Sequence, residues 1–183
     1  MWYIIGGIVV VLLLVLWIAK IYNSLVAKRN RVDNAWGQVD VQLQRRYDLI
    51  PNLVETVKGY ASHESKTFEA VAQARSMAAG ASTPGEQAAA DNFLTSALRQ
   101  LFAVAEDYPE LRASENFQSL QADLTDTENK ISVSRQIYND TVLKYNNAVQ
   151  QVPSSIVASM TGFETRELYD APDEADTAPQ VSF

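Results

Sequence analysis

The sequence predicts an all-α protein, an N-terminal transmembrane helix followed by an antiparallel up-and-down helical bundle. Three observations lead there. Trp2 to Ala19 is an unbroken apolar run of 18 residues. Beyond it, apolar residues recur at alternating steps of three and four, the period of a helix with one buried stripe. Only 7 Gly and 6 Pro occur in 183 residues, too few for the many tight turns of an all-β fold.

The apolar run, residues 1–21 with its flanks, has no charge before Lys20. At a helical rise of ~1.5 Å per residue it covers about 27 Å, close to the hydrocarbon thickness of a bilayer. A helix satisfies every backbone group inside its own segment, which lipid requires. Trp2 and Tyr3 at one end, and Trp17 just before Ala19 at the other, suit the two interfacial belts. A cleaved signal peptide would want a basic start and a small-x-small exit, and neither is present. Lys20, Lys28, Arg29 and Arg31 all follow the run and none precedes it. The positive-inside rule then places the N-terminus outside and the main domain in the cytoplasm. The same four residues are candidates for contact with anionic lipid head groups.

Residues 22–153 carry the bundle. The first seam runs Tyr22, Leu25, Arg29, Val32, Trp36, Val39, Leu43, Arg46, Ile50, Leu53, Val57, Tyr60. Arg29 and Arg46 are its two polar exceptions. Pro51 leaves two readings: a helix of about 22–47 followed by another of about 50–79, or one long helix kinked at the proline. Thr83-Pro84-Gly85-Glu86 reads as a capping box with Pro at the first helical position. The helix it opens carries Phe93, Leu94, Leu98, Leu101 and Val104, and Pro109 bounds it. The last long helix begins near Ser114, and Pro153 closes it. Phe93, Phe102, Phe117, Tyr138 and Tyr145 read as core aromatics, and the alanines at 70, 72, 74, 78 and 79 as sites of close helix approach. Residues 154–183 read as a short helix and a flexible tail. Between Glu167 and Asp176 five residues are acidic and none is basic.

Composition narrows the chemistry. There is no cysteine, so disulfides, thiolate metal sites and cysteine nucleophiles are excluded. His63 is the single histidine, so His63-Glu64 cannot begin an HExxH zinc motif. A net charge of −7 argues against nucleic acid as a partner. Asp40, Arg46, Glu55, Glu106, Asp107, Glu128 and Asn129 are candidates for a polar network between helices, whose expected role is register. Arg45-Arg46-Tyr47-Asp48 reads as an ion pair closing a helix turn, with an alternative as an arginine patch that recognises a partner's carboxylate or phosphate. No catalytic residue, metal site or cofactor is expected.

Several segments resemble the LemA family of bacterial membrane-anchored proteins. They include Tyr22-Asn23-Ser24-Leu25-Val26, Ala35-Trp36, and the long run from Asp40 to Tyr60 with Asp48-Leu49-Ile50-Pro51-Asn52-Leu53 at its centre. Further on they include Ala74-Arg75, Glu106-Asp107-Tyr108-Pro109, Phe117-Gln118-Ser119-Leu120-Gln121, Thr127-Glu128-Asn129-Lys130-Ile131, Tyr138-Asn139, Tyr145-Asn146 and Gly162-Phe163. The resemblance implies a short external N-terminus, one membrane helix and a four-helix bundle, and it favours a break at Pro51. It implies no reaction. The function expected is a non-catalytic scaffold at the bacterial inner membrane that self-associates or recruits a membrane protein, with lipid as its other contact. One alternative is a regulatory adaptor of a membrane protease or signalling protein, suggested by the acidic tail. The other is a carboxylate-based hydrolase or metal enzyme.

Overall fold

The structure, a computed structural model, describes residues 1–169. The described residues are helical with no strand. Helix α1 spans Trp2–Lys58, α2 Ser65–Gly80, α3 Pro84–Glu106, α4 Pro109–Arg112, α5 Glu115–Gln150 and α6 Ser154–Thr161. The chain divides into two compact units, and α1 and α5 each contribute to both. One unit holds Met1–Gly37 and Ile137–Glu167; the other holds Gln38–Gln136 with Leu168 and Tyr169.

The apolar run and the first seam belong to one helix of 57 residues. Every residue of the run is exposed, with a mean hydropathy of 2.8, so this helix is long and apolar enough to cross a membrane. The seam then turns inward. Leu25, Val32, Val39, Leu43, Arg46, Ile50, Leu53 and Val57 are all at most 2% exposed. Tyr22, Arg29 and Tyr60 stay at the surface, and Trp36 is half-buried.

The break expected at Pro51 does not occur; α1 continues through it to Lys58, and the next helix starts only at Ser65. The physical reason lies one turn back. A proline has no N–H, so the carbonyl four residues earlier, that of Tyr47, loses its helical partner. Arg75 of α2 supplies the replacement, its Nε donating to the Tyr47 carbonyl at 3.0 Å. A side chain from outside the helix thereby repairs the ladder, and the apolar seam keeps its phase across the proline.

The unit around Gln38–Gln136 is packed by α2 on α3 and by inward residues of α1 and α5. Phe68, Val71, Ala74 and Ala78 of α2 are buried, whereas Ala72 and Ala79 face solvent. Helix α3 opens on the expected capping box: Thr83 accepts from the Glu86 N–H, and the Glu86 carboxylate accepts from Ser82 and Thr83. These hydrogen bonds to Glu86 hold its carboxyl below the ordinary range. Leu94, Leu98, Leu101 and Ala105 form the buried stripe of α3. Phe93 is a correction to the expected aromatic core: it is 60% exposed, because it lies one residue before Leu94 and off the stripe. Phe102 is half-buried and meets the buried Phe117 edge-on at 6.2 Å.

In the unit of Met1–Gly37 and Ile137–Glu167, Tyr138 and Tyr145 are buried, and Trp36 meets Tyr138 at 5.2 Å. Helix α6 ends at Gly162, whose φ of 72° is the left-handed cap that glycine adopts without strain. Residues 163–167 then form an extended strap bound through its backbone. Tyr145 Oη donates to the Glu164 carbonyl at 2.8 Å and Tyr138 Oη to that of Glu167 at 2.9 Å. Asn146 donates to the Arg166 carbonyl and accepts from the Arg166 N–H, both at 2.8 Å. Phe163 is buried beside Tyr22, with the Arg29 guanidinium 5.1 Å above its ring. The flexible tail expected from Glu167 is not seen at its first residues, since Tyr138 binds the Glu167 carbonyl and Tyr169 is buried. The acidic stretch from Asp170 and the terminal Val-Ser-Phe lie outside the described residues.

The repair at Pro51 has a measurable signature. Arg75→Ala leaves the Tyr47 carbonyl without its partner and is expected to destabilise the chain by about 1–3 kcal/mol. In a Pro51→Ala background, where residue 51 regains an N–H for that carbonyl, the same substitution should cost clearly less. Chemical unfolding of the full chain in detergent, followed by circular dichroism, reads both values.

Candidate functional site

The strongest concentration of buried chemistry is built around Arg46, in the middle of the α1 seam. Its guanidinium is fully buried. One terminal nitrogen donates to Asp91 Oδ1 of α3 in a short charge-assisted contact, and the other donates to Thr95 Oγ1 at 2.9 Å. Its Nε lies 2.8 Å from Glu128 Oε1 of α5, an ion pair by distance rather than an aligned hydrogen bond. Asp91 is 4% exposed, and its second oxygen faces Arg135 of α5 at 3.7 Å. Arg135 in turn lies over the ring of Tyr169 at 4.3 Å. Two cations and two carboxylates thus meet among three helices, and the cluster is neutral overall.

Its surroundings are equally specific. Tyr47 is buried and accepts from Gln87 Nε2 at 2.6 Å. Burial, and then the nearby Asp91 charge, push the Tyr47 hydroxyl above its ordinary range. The same two causes push Tyr169 up further. Burial also raises Glu128, against the lowering pull of Arg46. A groove of about 280 Å³ lined by Thr95, Leu98, Phe102, Leu124 and Glu128 gives the half-buried Glu128 access to water. Arg99 and Thr125 complete the lining, in which Glu128 is the one carboxylate.

Of the residues expected in a polar network, Arg46 and Glu128 meet. Asp40, Glu55 and Asn129 are exposed and do not join them. Glu55 pairs with Lys58 one turn away at 3.2 Å. Arg46 does not close a helix turn onto Asp48. It points inward from the seam, while the exposed Asp48 accepts from Gln44 at 3.0 Å. Arg45 faces outward, 3.8 Å from Asp123 and 3.9 Å from Asp126. Asp40, Arg45 and Asp48 line one shallow open groove on the outer face of α1. Glu106 and Asp107 are exposed at the end of α3, and His63 is exposed between α1 and α2. No group of three or more His, Asp or Glu suited to a metal ion occurs among the described residues.

Asp91, Arg135 and Tyr169 were not anticipated. The signal for Asp91 was present: Gln87, Asp91, Leu94, Leu98, Leu101 and Ala105 keep the same alternating spacing as the α1 seam, and all are buried. A carboxylate at a seam position of α3 is the natural partner for a guanidinium at a seam position of α1.

Neighbouring arginines should respond very differently to the same change. Arg46→Met leaves the buried Asp91 carboxylate with only the more distant Arg135 and is expected to lose about 3–5 kcal/mol of stability. Arg45→Met removes only exposed, loosely paired charge and should lose less than about 1 kcal/mol. Denaturant unfolding of the two full-length variants compares them directly.

Comparison with known proteins adds the context of relatives. The LemA family profile matches residues 35–183. The chain is similar to magnetosome protein MamQ of Magnetospirillum gryphiswaldense, at 26% identity over 87% of this chain and 70% of that protein. It is similar to magnetosome protein MamQ 2 of Paramagnetospirillum magneticum, also at 26% identity, over 85% of this chain and 67% of that one. Protein LemA of Metamycoplasma hominis is 23% identical over 74% of this chain and 63% of its own length. With its profile covering most of the sequence, the chain belongs to the LemA family.

Proposed function

We propose that this chain is a single-pass, non-catalytic membrane scaffold: a lipid-embedded anchor over residues 1–21, a helical bundle over 22–153 and a C-terminal extension from 154. The observation that carries this reading is the course of α1. One helix leaves a fully exposed apolar run and continues as the buried seam that holds Arg46. The four bundle helices of this reading are the seam part of α1, α2, α3 and α5, in up-and-down order.

The disposition of ionisable groups supports a non-catalytic role. Arg46, Asp91, Glu128 and Arg135 neutralise one another, and Glu128 is the single carboxylate on the adjacent groove. General acid–base chemistry needs two titratable groups whose environments drive their pKa values apart around a substrate space. Lys20, Lys28, Arg29 and Arg31 follow the apolar run, so the bundle lies on the cytoplasmic side of the bacterial inner membrane with the N-terminus outside. The exposed charges of α1 at Asp40, Arg45 and Asp48 are the surface offered to a partner or a second copy.

Cross-linking in native membranes tests the scaffold, and it should trap a homo-oligomer or one reproducible protein partner. A strictly monomeric chain with nothing co-purifying would overturn the reading. The absence of cysteine lets the same preparation report orientation. A single Glu69→Cys chain should resist a membrane-impermeant thiol reagent in spheroplasts and react after lysis.

A further inference from the structure

Helix α6 presents an apolar face with none of the described residues packed over it. Val157 and Ala158 are buried, but Val152, Ile156 and Met160 are 78%, 57% and 80% exposed. Ile156 and Met160 are four residues apart and share one side of the helix, and Val152 is exposed in the turn that leads into it. Contiguous exposed apolar residues of this size mark a surface that meets something other than water.

Three observations identify what it meets. The first is position. A groove of about 330 Å³ is lined by Trp17, Lys20, Ile21 and Lys28 of α1 together with Pro153 and Ser154 at the start of α6. Trp17 is the last aromatic of the exposed apolar run, so α6 begins at the level where that run ends. The second is charge. Residues 145–163, which include the end of α5, all of α6 and Phe163, contain no Asp, Glu, Lys or Arg, in a chain that is 20% charged. A segment free of charge is what a low-dielectric boundary tolerates. The third is complementarity, since Lys20 and Lys28 share the groove with α6 and match the phosphates of lipid head groups.

We propose that α6 lies in the membrane–water interface at the foot of α1, with Val152, Ile156 and Met160 immersed in lipid and Lys20 and Lys28 facing head-group phosphates. This rests on the reading of the apolar run as a membrane span. Eight residues bury too little apolar surface to hold a free helix on a membrane. Beside an anchor, α6 needs only to remain where the chain already places it. It then acts as an outrigger that limits how far the anchor can tilt.

The cysteine-free sequence makes the test direct. Single substitutions Val152→Cys, Ile156→Cys and Met160→Cys are labelled with an environment-sensitive NBD fluorophore. The full chain is then reconstituted in phosphatidylcholine–phosphatidylglycerol vesicles with or without doxyl-labelled phospholipid. Leu12→Cys in the apolar run and the exposed Glu69→Cys serve as references. The three α6 positions should be quenched several-fold more than Glu69→Cys, and most by doxyl groups near the head group. If they are quenched no more than Glu69→Cys while Leu12→Cys is quenched, the outrigger is wrong and the anchor stands. Blue-shifted emission without lipid quenching means that the face is covered by a second copy or another protein, which also overturns the proposal. If Leu12→Cys itself escapes quenching, the span and the outrigger fall together.

Discussion

A guanidinium with no exposed surface is an expensive thing to fold. Moving Arg46 out of water carries a penalty of several kcal/mol, which close opposite charges and hydrogen bonds offset. Its partners are Asp91 and Thr95 on α3 and Glu128 on α5. They converge at one axial position of three helices. A slip of one turn would part Arg46 from Asp91, Thr95 and Glu128 together, whereas a slip along an all-leucine seam would lose little. The cluster ties α1, α3 and α5 together at one level, and the apolar residues above and below it supply the cohesion.

Side chains that repair or bind backbone are the second constraint. Proline inside a helix deprives a carbonyl four residues back, and Arg75 satisfies that carbonyl at Tyr47, next to Arg46 in the chain. The strap of residues 163–167 is held in the same manner by Tyr138, Tyr145 and Asn146. These contacts read backbone rather than side-chain identity. They specify where the chain goes after α6 while leaving Glu164, Thr165 and Glu167 exposed. A long α1 and a tied strap both depend on polar groups that have no apolar periodicity.

That distinction explains what could be read in the sequence. The buried positions of α1 followed from the three-four spacing because burial obeys the helical period. The start of α3 followed from Thr83, Pro84 and Glu86 because a cap is local. Pro51 misled because its local preference is to end a helix, and the group that overrides it is 24 residues further on. Phe93 misled because an aromatic ring was weighed by its type rather than by its phase relative to Leu94. Arg46 and Glu128 were recognised as polar groups near seams, but Asp91 was hidden in an alanine-rich stretch whose stripe is defined mainly by leucines. The repeated Tyr-Asn dipeptides at 138–139 and 145–146 were visible, and their role as anchors for an extended strap needed three-dimensional information.

The ionisable groups of the core neutralise one another, and the largest apolar surface is the N-terminal run on α1. For the scaffold proposed above, the pairing of Arg46 with Asp91 is the contact that holds the geometry. A double-mutant cycle with Arg46→Met and Asp91→Leu, measured by denaturant unfolding of the full chain, tests this most directly. If the pair acts as one unit, the double variant will be more stable than either single variant, because each single change leaves a buried charge without its main partner and the double change removes both. Losses that simply add would contradict the account.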